Sequence, residues 1–431
     1  GGGAMSTGTV TFMDGAGVLD SRPLVSGQAA FTTDALSATG SPHTITVVYG
    51  GDMRYLSATS APLLQVVLRP PLAVATNGLD TNPGTLAAPW RTIQKAAGAA
   101  AAGDTVRIGP GTYAERVVPA ASGTPAQPIV YEPATGAVVT IDGAGVTLPN
   151  DLAGLFEIRG HSHIVVRGLR VVNSGPYADN AGILVINSSD IRLTGNAASN
   201  TFSSGMGVWW SARVVMEDCR IDRACSGGAG AAGQEALSVA GTDTFEVRRN
   251  RVRNSLKEGI CLKDGSRNGL VWGNTVEDPQ LTGIYVDAWD KPTSAIRVFG
   301  NTIRSSLGGH GIALASEMGG RLADIQVFNN VAFLNRYCGC VVSVNGPGGP
   351  QGEHPMDGIY VENNTFVANG QIDWGGGIAV DNPGATNVVL CNNICSSNFF
   401  FQMAVVPGAA AATRVERNLV KIEDLETANE K

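Results

Sequence analysis

Acidic residues follow a repeated Gly-Ile-x-Val-x block, and their spacing suits acid–base chemistry. Aligning these blocks places five residues in one outward-facing column: Lys263, Asp287, Ala315, Ser343 and Asp381. Glu317 comes just after the following block, and Asp290 lies in the same loop as Asp287. Neighbouring carboxylates push one pKa up, which leaves a protonated acid beside an ionised base or nucleophile. The pattern predicts a glycan-cleaving centre in which Asp287 and Glu317 act as acid/base and as nucleophile or second base, while Asp290 tunes one of them.

The distance between the two main carboxylates can be bounded if successive blocks are strands of neighbouring coils. A rise of ~4.8 Å per coil and ~3.3 Å per residue puts the Cβ atoms of Asp287 and Glu317 about 8 Å apart. Retaining glycosidases need carboxyl groups ~5–5.5 Å apart and inverting ones ~6.5–9.5 Å, and both fit. The stereochemical course and the role of each carboxylate therefore stay open. So does the structural alternative, in which these acids hold turns, bind a cation or are solvated.

Aromatic and charged residues near these carboxylates are candidates for contact with a sugar. The residues expected to bind substrate are Lys263, His310, Trp289, Tyr285, Glu258 and Trp209. Lys263 is also within reach of an ion pair with Asp287. Glu235 and Glu258 precede the block in consecutive repeats, where a bend at glycine leaves the direction of their side chains open. Trp210 is a further aromatic residue that could offer a flat face to a sugar ring, and weaker candidates are His354, Trp374 and Asp381.

A second repeated segment indicates the scaffold that positions these residues. Segments such as IQVFNNVA and IYVENNTF alternate apolar residues and end on a recurring position: Asn196, Cys219, Asn250, Asn274, Asn301, Asn330, Asn364, Asn393 and Asn418. Eight steps span 222 residues, so one repeat has about 28 residues, as expected for a β-solenoid with one coil per repeat. We expect each asparagine to adopt the left-handed conformation at a turn and to hydrogen-bond the asparagine of the next coil.

The segment from Trp90 predicts the main helix of the chain, over 90–102, with Gly103 as its stop. The sequence GDTVRIGPGTY follows at once. This succession resembles the N-terminal cap and first coil of right-handed parallel β-helix proteins of the pectate-lyase-like class, and the resemblance covers about 74–420. It implies an all-β fold, a right-handed parallel β-helix solenoid with an N-terminal capping helix that covers the unpaired end of the sheets.

The resemblance is specific for the fold and much less specific for the reaction. Its relatives include pectate, alginate and chondroitin lyases, glycoside hydrolases and phage tailspikes. Glycosidic hydrolysis is the first choice here and needs no cofactor. A calcium-assisted polysaccharide lyase is the runner-up, with Lys263 as base and Asp287, Asp290 and Glu317 holding calcium. Against it, the block LTGIYVD lacks the paired acids of some β-helix lyases. A glycan-binding adhesin without catalysis is the third alternative.

Residues 1–68 alternate with a period of two between Gly, Ser, Asp and Pro turns, which predicts a small antiparallel β module. The pattern GTVTFMDG…HTITVVYGGD resembles bacterial Ig-like repeats of secreted and cell-surface proteins, with the usual first strand missing. The resemblance implies a small Ig-like β-sandwich and an extracellular or cell-surface location. Residues 69–73 read as a stiff linker and 74–431 as the β-helix.

Composition and charge limit the partners. With 30 basic and 37 acidic residues the net charge is −7, which disfavours binding to nucleic acid. The sequence has no long apolar run that would predict insertion into a membrane. The seven cysteines contain no CxxC pair and predict neither a metal site nor a disulfide framework. The expected partner is a poly- or oligosaccharide, and the protein is expected to be a monomer or a trimer.

Overall fold

The computed structural model describes residues 6–67, 69–228, 230–371 and 374–421. The chain divides into two compact units, Gly1–Pro70 and Pro71–Lys431. The last part of the predicted β-helix, 422–431, lies outside the described residues.

The first unit is an antiparallel β module. A short 3-10 helix, Ala38–Gly40, precedes its third strand. The five strands are Thr9–Asp14, Gly17–Pro23, His43–Tyr49, Ala58–Thr59 and Leu63–Gln65. They pair in one sheet, in which His43–Tyr49 bonds three of the other four strands. Within 6–67 all five strands thus belong to one connected sheet.

The second unit is a right-handed parallel β-helix of about 12 turns, as predicted. Each complete coil contributes one strand to each of three parallel sheets, which we name A, B and C in the order in which the chain meets them. Sheet A has 13 strands: Leu72–Val74, Thr105–Ile108, Ile129–Pro133, Ser162–Arg167, Ser189–Thr194, Ala212–Glu217, Asp243–Arg248, Arg267–Trp272, Thr293–Phe299, Leu322–Phe328, Met356–Glu362, Ala385–Cys391 and Thr413–Glu416.

Sheets B and C complete each coil. Sheet B has 12 strands: Gly111–Tyr113, Val139–Asp142, Arg170–Val172, Ala197–Ser199, Arg220–Asp222, Arg251–Arg253, Thr275–Glu277, Thr302–Arg304, Val331–Phe333, Thr365–Val367, Ile394–Ser396 and Leu419–Lys421. Sheet C has 10 strands: Ala153–Arg159, Asn180–Ile186, Ser204–Trp209, Leu237–Ala240, Ile260–Lys263, Ile284–Asp287, Ile312–Ala315, Cys340–Val342, Gly376–Val380 and Phe401–Val405.

Aliphatic side chains fill the interior because alternate residues of each strand point inward. Ile284 pairs with Ile312, and Val286 pairs with Leu314 one coil away. All four side chains are fully buried. Each such burial contributes ~1.5–3 kcal/mol, so the stacked columns fix the register of sheet C. The register in turn places the residues between and after them on the outer face.

A capping helix covers the N-terminal end of the β-helix, as predicted, but it is shorter than the predicted 90–102. It spans Ile93–Ala99. Thr92 is its N-cap, and the Thr92 hydroxyl accepts a hydrogen bond from the Lys95 N–H at 3.1 Å. The helix buries Ile93, Ala96 and Ala97. A four-residue helix, Pro407–Ala410, lies near the other end. Leu72–Val74, which begins inside the predicted linker 69–73, is already a strand of sheet A.

The asparagine column forms a buried hydrogen-bonded ladder between sheets A and B. Asn330 donates from its backbone N–H and from Nδ2 to Oδ1 of Asn364, both at 2.9 Å, and its Nδ2 also bonds Val298 O at 2.9 Å. The left-handed conformation belongs to the residue before each ladder position, for example Asn329 with φ 54° and Asn363 with φ 56°. The prediction that the ladder asparagines adopt that conformation is therefore wrong, because the chain turns at the preceding residue and the asparagine side chain then points into the interior.

A second ladder, which the sequence analysis missed, runs between sheets B and C. Asn335 donates to Asn369 at 2.8 Å, Asn369 to Asn398 at 3.0 Å, and Asn398 to Gln402 at 2.8 Å, in each case through Nδ2. These side chains satisfy the backbone groups freed at the turn. Two ladders at two corners thus hold the coils in register.

Candidate functional site

A cavity of about 500 Å³ opens on the outer face of sheet C. Seven of the predicted site residues, together with Glu235 and Trp210, line it: Trp209, Glu258, Lys263, Tyr285, Asp287, Trp289 and Glu317. Strand pairing explains why they meet. Trp209 pairs with Ala240 and Ala240 with Lys263, and the pairing of Leu262 with Val286 brings Lys263 next to Asp287. The outward column inferred from the repeat is therefore present in the structure.

Asp287, Glu317 and Tyr285 form a hydrogen-bonded group at one end of the cavity. Oδ1 of Asp287 accepts a hydrogen bond from the backbone N–H of Glu317 at 3.1 Å. The Tyr285 hydroxyl donates to Oε1 of Glu317. Asn345, which the sequence analysis did not single out, donates from Nδ2 to the same oxygen at 3.1 Å and to the Tyr285 hydroxyl at 3.0 Å. Glu317 is thus oriented through one of its two oxygens.

Burial changes the acidity of this group. Asp287 is only 2% exposed. Burial, and after it the negative charge of Glu317, raises the pKa of Asp287 to about 7, although the backbone N–H of Trp289 opposes the shift. Burial and the charges of Asp287 and Glu317 also raise the pKa of Tyr285, which therefore remains a hydrogen-bond donor. Near neutral pH, Asp287 can hold a proton and release it.

Lys263 forms its ion pair with Glu235, at 2.7 Å, and not with Asp287. The Ser238 hydroxyl donates to the other oxygen of Glu235 at 2.9 Å. Ala240, the neighbour of Lys263 on the preceding coil, is small and leaves room for the long side chain to turn back. Burial alone would lower the pKa of Lys263 and raise that of Glu235, but the ion pair outweighs it, so the pKa of Lys263 is raised and that of Glu235 is lowered. The pair stays ionised.

Glu258 is a second buried carboxyl group in the cavity wall. Burial, and after it the charge of Glu235, raises the pKa of Glu258 to about 7. Its Oε2 is buried without a hydrogen-bond partner among the described residues, and Nζ of Lys257 is 4.0 Å away. A protonated side chain fits such surroundings better than an ionised one. The cavity therefore holds two carboxyl groups that titrate near pH 7.

Tryptophan side chains form the apolar part of the cavity. Trp209 is buried and donates from Nε1 to the Ser238 hydroxyl at 3.2 Å. Trp210 and Trp289 are 45% and 42% exposed, and both have a left-handed backbone, with φ 48° and 46°. Gly241 makes room for one of them, because a Cβ there would come within 2.4 Å of Cδ1 of Trp210. The two exposed indoles are available for a flat ligand.

The structure does not bring Asp290 and His310 into the cavity. The Asp290 side chain is 56% exposed and lies 3.5 Å from Nζ of Lys291. His310 is half-buried, its Nδ1 accepts the Cys338 N–H at 3.2 Å, and its ring packs on Tyr337. Burial lowers the pKa of His310 to about 4. Both placements differ from the expectation that these residues act on substrate beside Asp287, since the loop after Asp287 turns outward and His310 is enclosed by aromatic rings.

His354, Trp374 and Asp381 also lie outside the cavity lining. His354 donates from Nδ1 to Ser316 O at 2.8 Å, and Asp381 accepts the Val344 N–H at 3.2 Å. The ring of Trp374 packs against Phe401. These contacts are those of residues that hold loops.

Loops supply cavity residues that the sequence analysis missed. Asp179 precedes a strand of sheet C and accepts a hydrogen bond from Nε2 of Gln234 at 2.8 Å. Gln234 ends the insertion SGGAGAAGQ, and Lys257 lies in the next coil. The insertion itself was the available signal, since insertions of this kind gather on one face of a solenoid. The individual residues carry no repeat pattern that would identify them.

A calcium site made of Asp287, Asp290 and Glu317 does not fit the geometry. Calcium needs six to eight oxygen ligands, which a protein supplies from several converging side chains. Asp290 lies outside the cavity lining, and the described part of the chain contains no group of three or more His, Cys, Asp or Glu side chains that could hold a metal ion.

Among the described residues, no helix is long and apolar enough to cross a membrane.

Comparison with known families assigns both units. Residues 1–68 match the bacterial Ig-like domain (group 3). Residues 72–222 match the Pel9A-like right-handed β-helix region, and 235–420 match a right-handed β-helix region. Together the two β-helix matches cover almost all of the second unit.

One curated protein and several solved structures are similar to this chain. The chain is 31% identical over 312 residues to the uncharacterized protein YwoF of Bacillus subtilis (strain 168), which covers 64% of each chain. The chain thus spans about two thirds of the length of that relative. A solved rhamnogalacturonan lyase has a TM-score of 0.51 at 15% identity over 81% of this chain and 87% of its own. Pectate lyase Pel9A has a TM-score of 0.46 at 16% identity over 82% and 80%. This chain carries a bacterial Ig-like module followed by a right-handed parallel β-helix, the first part of which matches the Pel9A-like β-helix region.

Proposed function

We propose that this protein is an extracellular carbohydrate-active enzyme that hydrolyses glycosidic bonds of a poly- or oligosaccharide in the cavity on sheet C. One observation carries the proposal: the buried Asp287, with a pKa raised to about 7, lies beside Glu317 in a cavity with exposed tryptophans. A carboxylic acid that is still protonated near neutral pH and a second, oriented carboxylate are the two groups that glycoside hydrolysis requires.

In the proposed reaction Asp287 donates its proton to the glycosidic oxygen as the bond from that oxygen to the anomeric carbon breaks. Glu317 either attacks the anomeric carbon or takes a proton from the water that does so. Its Oε1 is engaged by Tyr285 and Asn345, so Oε2 is the reacting atom. Trp210 and Trp289 offer their ring faces to the sugar. After direct attack, a water that gives its proton to Asp287 cleaves the bond between the sugar and Glu317, which frees Glu317 and restores the proton on Asp287. In the water route, Glu317 passes the proton it has taken to solvent, and Asp287 takes a proton from solvent.

Hydrolysis is favoured over elimination by the state of Lys263. An elimination needs a deprotonated base for a carbon-bound proton, which for lysine means the neutral amine, and a cation that neutralises the uronate carboxylate. Lys263 is held as an ammonium in its pair with Glu235, and the three acids proposed for calcium do not converge. The fold shared with a rhamnogalacturonan lyase supports a carbohydrate substrate by analogy only. The Ig-like module supports a location outside the cell.

The test is a panel of polysaccharides and oligosaccharides with the product masses as readout. Hydrolysis adds one water to the products, whereas elimination adds none and leaves an unsaturated sugar that absorbs in the ultraviolet. Asp287→Asn and Glu317→Gln should each lower the rate at least ~10²-fold while binding is retained. The matched control Asp290→Asn, an exposed carboxylate in the same loop, should keep full activity. The anomer released first reports whether Glu317 attacks directly or through water.

Three results would contradict the proposal. Full turnover by Asp287→Asn would place the acid elsewhere. Unsaturated products would make the protein a lyase. Glycan binding on this face without turnover of any member of the panel would make it an adhesin.

A further inference from the structure

We infer that the cavity on sheet C accepts sugar units that carry no carboxylate, so that the substrate is a neutral glycan and not a polyuronate. The inference rests on the proposed function in one respect, that this cavity is where the sugar binds. It goes further in naming the chemical class of the sugar, which follows from the charges that line the cavity.

The cavity lining is acidic. It contains six carboxyl groups and two ammonium groups, and it includes no arginine and no histidine. The carboxyl groups belong to Asp179, Glu235, Glu258, Asp264, Asp287 and Glu317. Proteins that bind a carboxylate in a cavity normally offer it an arginine fork or a lysine. The lining of this cavity offers no arginine.

Both lysines of the lining are already engaged. Nζ of Lys263 lies 2.7 Å from Glu235. Lys257 donates to Ala232 O at 3.4 Å and lies 4.0 Å from Glu258. A uronate that recruited Lys263 would leave the Glu235 charge buried and without its partner, which is strongly unfavourable. Lys263 is therefore unavailable to a substrate carboxylate, and Lys257 is held by the carbonyl of Ala232.

Two of the carboxylates have only neutral hydrogen-bond donors. Asp179 accepts from the amide of Gln234, and Glu317 accepts from the hydroxyl of Tyr285 and the amide of Asn345. Asp264, by contrast, is paired with Lys291 at 2.6 Å. Even with Asp287 and Glu258 protonated, Lys257 is the one ammonium group of the described lining left to balance Asp179 and Glu317, so the net charge of the lining stays negative. The local field repels an anion.

Hydrogen bonding points the same way. A carboxylate only accepts hydrogen bonds, whereas a sugar hydroxyl both donates and accepts. Carboxylate oxygens of Asp179 and Glu317 need donors, which hydroxyl groups supply and a uronate group does not. The exposed faces of Trp210 and Trp289 serve either class of ring equally. Charge is therefore what separates the two classes in this cavity.

The experiment compares ligands that differ only in the carboxylate. Oligogalacturonate is paired with its fully methyl-esterified form and with galacto-oligosaccharide, and cello-oligosaccharide is paired with its oxidised uronate form. Binding to the full chain carrying Asp287→Asn is measured by calorimetry, so that turnover does not interfere. Each neutral form should bind at least ~10-fold more tightly than its anionic partner at low salt. High salt should narrow the ratio, because screening weakens the repulsion.

A charge-removing variant tests the cause. Asp179→Asn should reduce the discrimination, whereas Asp290→Asn, outside the cavity lining, should leave it unchanged. Equal or tighter binding of the uronates overturns the inference, and so does the failure of every neutral oligosaccharide to bind. Preference for neutral sugars without turnover by the unmodified chain would refute the hydrolase but support this inference. Hydrolysis of a polyuronate would support the proposed hydrolase but refute this inference.

Discussion

Replacing Asp287 by asparagine should make the β-helix more stable above neutral pH while it removes activity. The pKa of this carboxyl rises from an ordinary value of 3.8 to about 7 on folding. The folded state therefore binds the proton more tightly than the unfolded state, and the free energy of unfolding falls as the pH rises from about 4 to about 7. Three pKa units at ~1.4 kcal/mol each amount to ~4 kcal/mol of lost stability above that range.

The substitution has a smaller effect of the opposite sign. Oδ1 of asparagine can still accept the hydrogen bond that the Glu317 N–H now gives to Asp287 at 3.1 Å. Its amide nitrogen, however, adds two donors in a place that is 2% exposed, which costs ~1–2 kcal/mol if they are not satisfied. We therefore expect Asp287→Asn to be about 2–3 kcal/mol more stable than the parent at pH 8 and ~1–2 kcal/mol less stable at pH 4.

Tryptophan fluorescence suits the measurement, because all six tryptophans follow residue 89 and report on the second unit alone. Urea unfolding of the parent and of Asp287→Asn is followed from pH 4 to pH 8.5. Asp290→Asn is the control, since an exposed carboxylate should give a difference that is small at every pH. A stability difference for Asp287→Asn that does not change with pH, or that falls as the pH rises, would refute the assignment of a raised pKa.

Three further predictions concern the cavity wall and the scaffold. Lys263→Met should lower the free energy of unfolding by ~3–5 kcal/mol, because it leaves the Glu235 charge buried and unpaired. Adding Glu235→Leu should restore part of this loss, which a double-mutant cycle measured by urea unfolding would show. Glu258→Gln should flatten the pH dependence of unfolding between pH 4.5 and pH 7, where the raised pKa makes the parent lose stability. Asn330→Ala should lower the free energy of unfolding by ~2–4 kcal/mol, and Asn418→Ala, at the end of the ladder, should lower it by clearly less. Equal losses of stability in urea unfolding would contradict a cooperative ladder.

The sequence predicted the backbone of the site better than its side-chain contacts. The Gly-Ile-x-Val repeat determines which residues point inward, so the repeat alone was enough to place Lys263 and Asp287 in one column. The sequence could not predict whether Lys263 forms its ion pair with Asp287 or with Glu235, because the four-carbon side chain of Lys263 reaches both carboxylates. The direction of the Glu258 side chain could not be predicted either. It precedes Gly259 at a bend, where the alternation that gives direction within a strand does not hold.

The asparagine ladder shows a second kind of limit. Spacing alone located the ladder, and the structure confirms the hydrogen bonds from coil to coil. The left-handed residue lies one position earlier than the spacing predicted, and Gly273 and Gly300 directly precede Asn274 and Asn301. Glycine before asparagine was the signal for the turn conformation. The second ladder has only three asparagines, too few for the spacing to reveal it.

The columns of sheet C show why the charged residues of the cavity are better explained by chemistry than by the fold. Ala240 precedes Lys263 in its column and Ala315 follows Asp287, so small apolar residues fill the same positions on neighbouring coils. The fold thus places no requirement for charge at these positions. Burying Asp287 near Glu317 even lowers stability above pH 7, by the argument made for its raised pKa. Aliphatic columns and asparagine ladders hold the coils together, so the solenoid tolerates the loss of stability at Asp287. A group that lowers the stability of the fold while it holds a transferable proton in a cavity is typical of an active site.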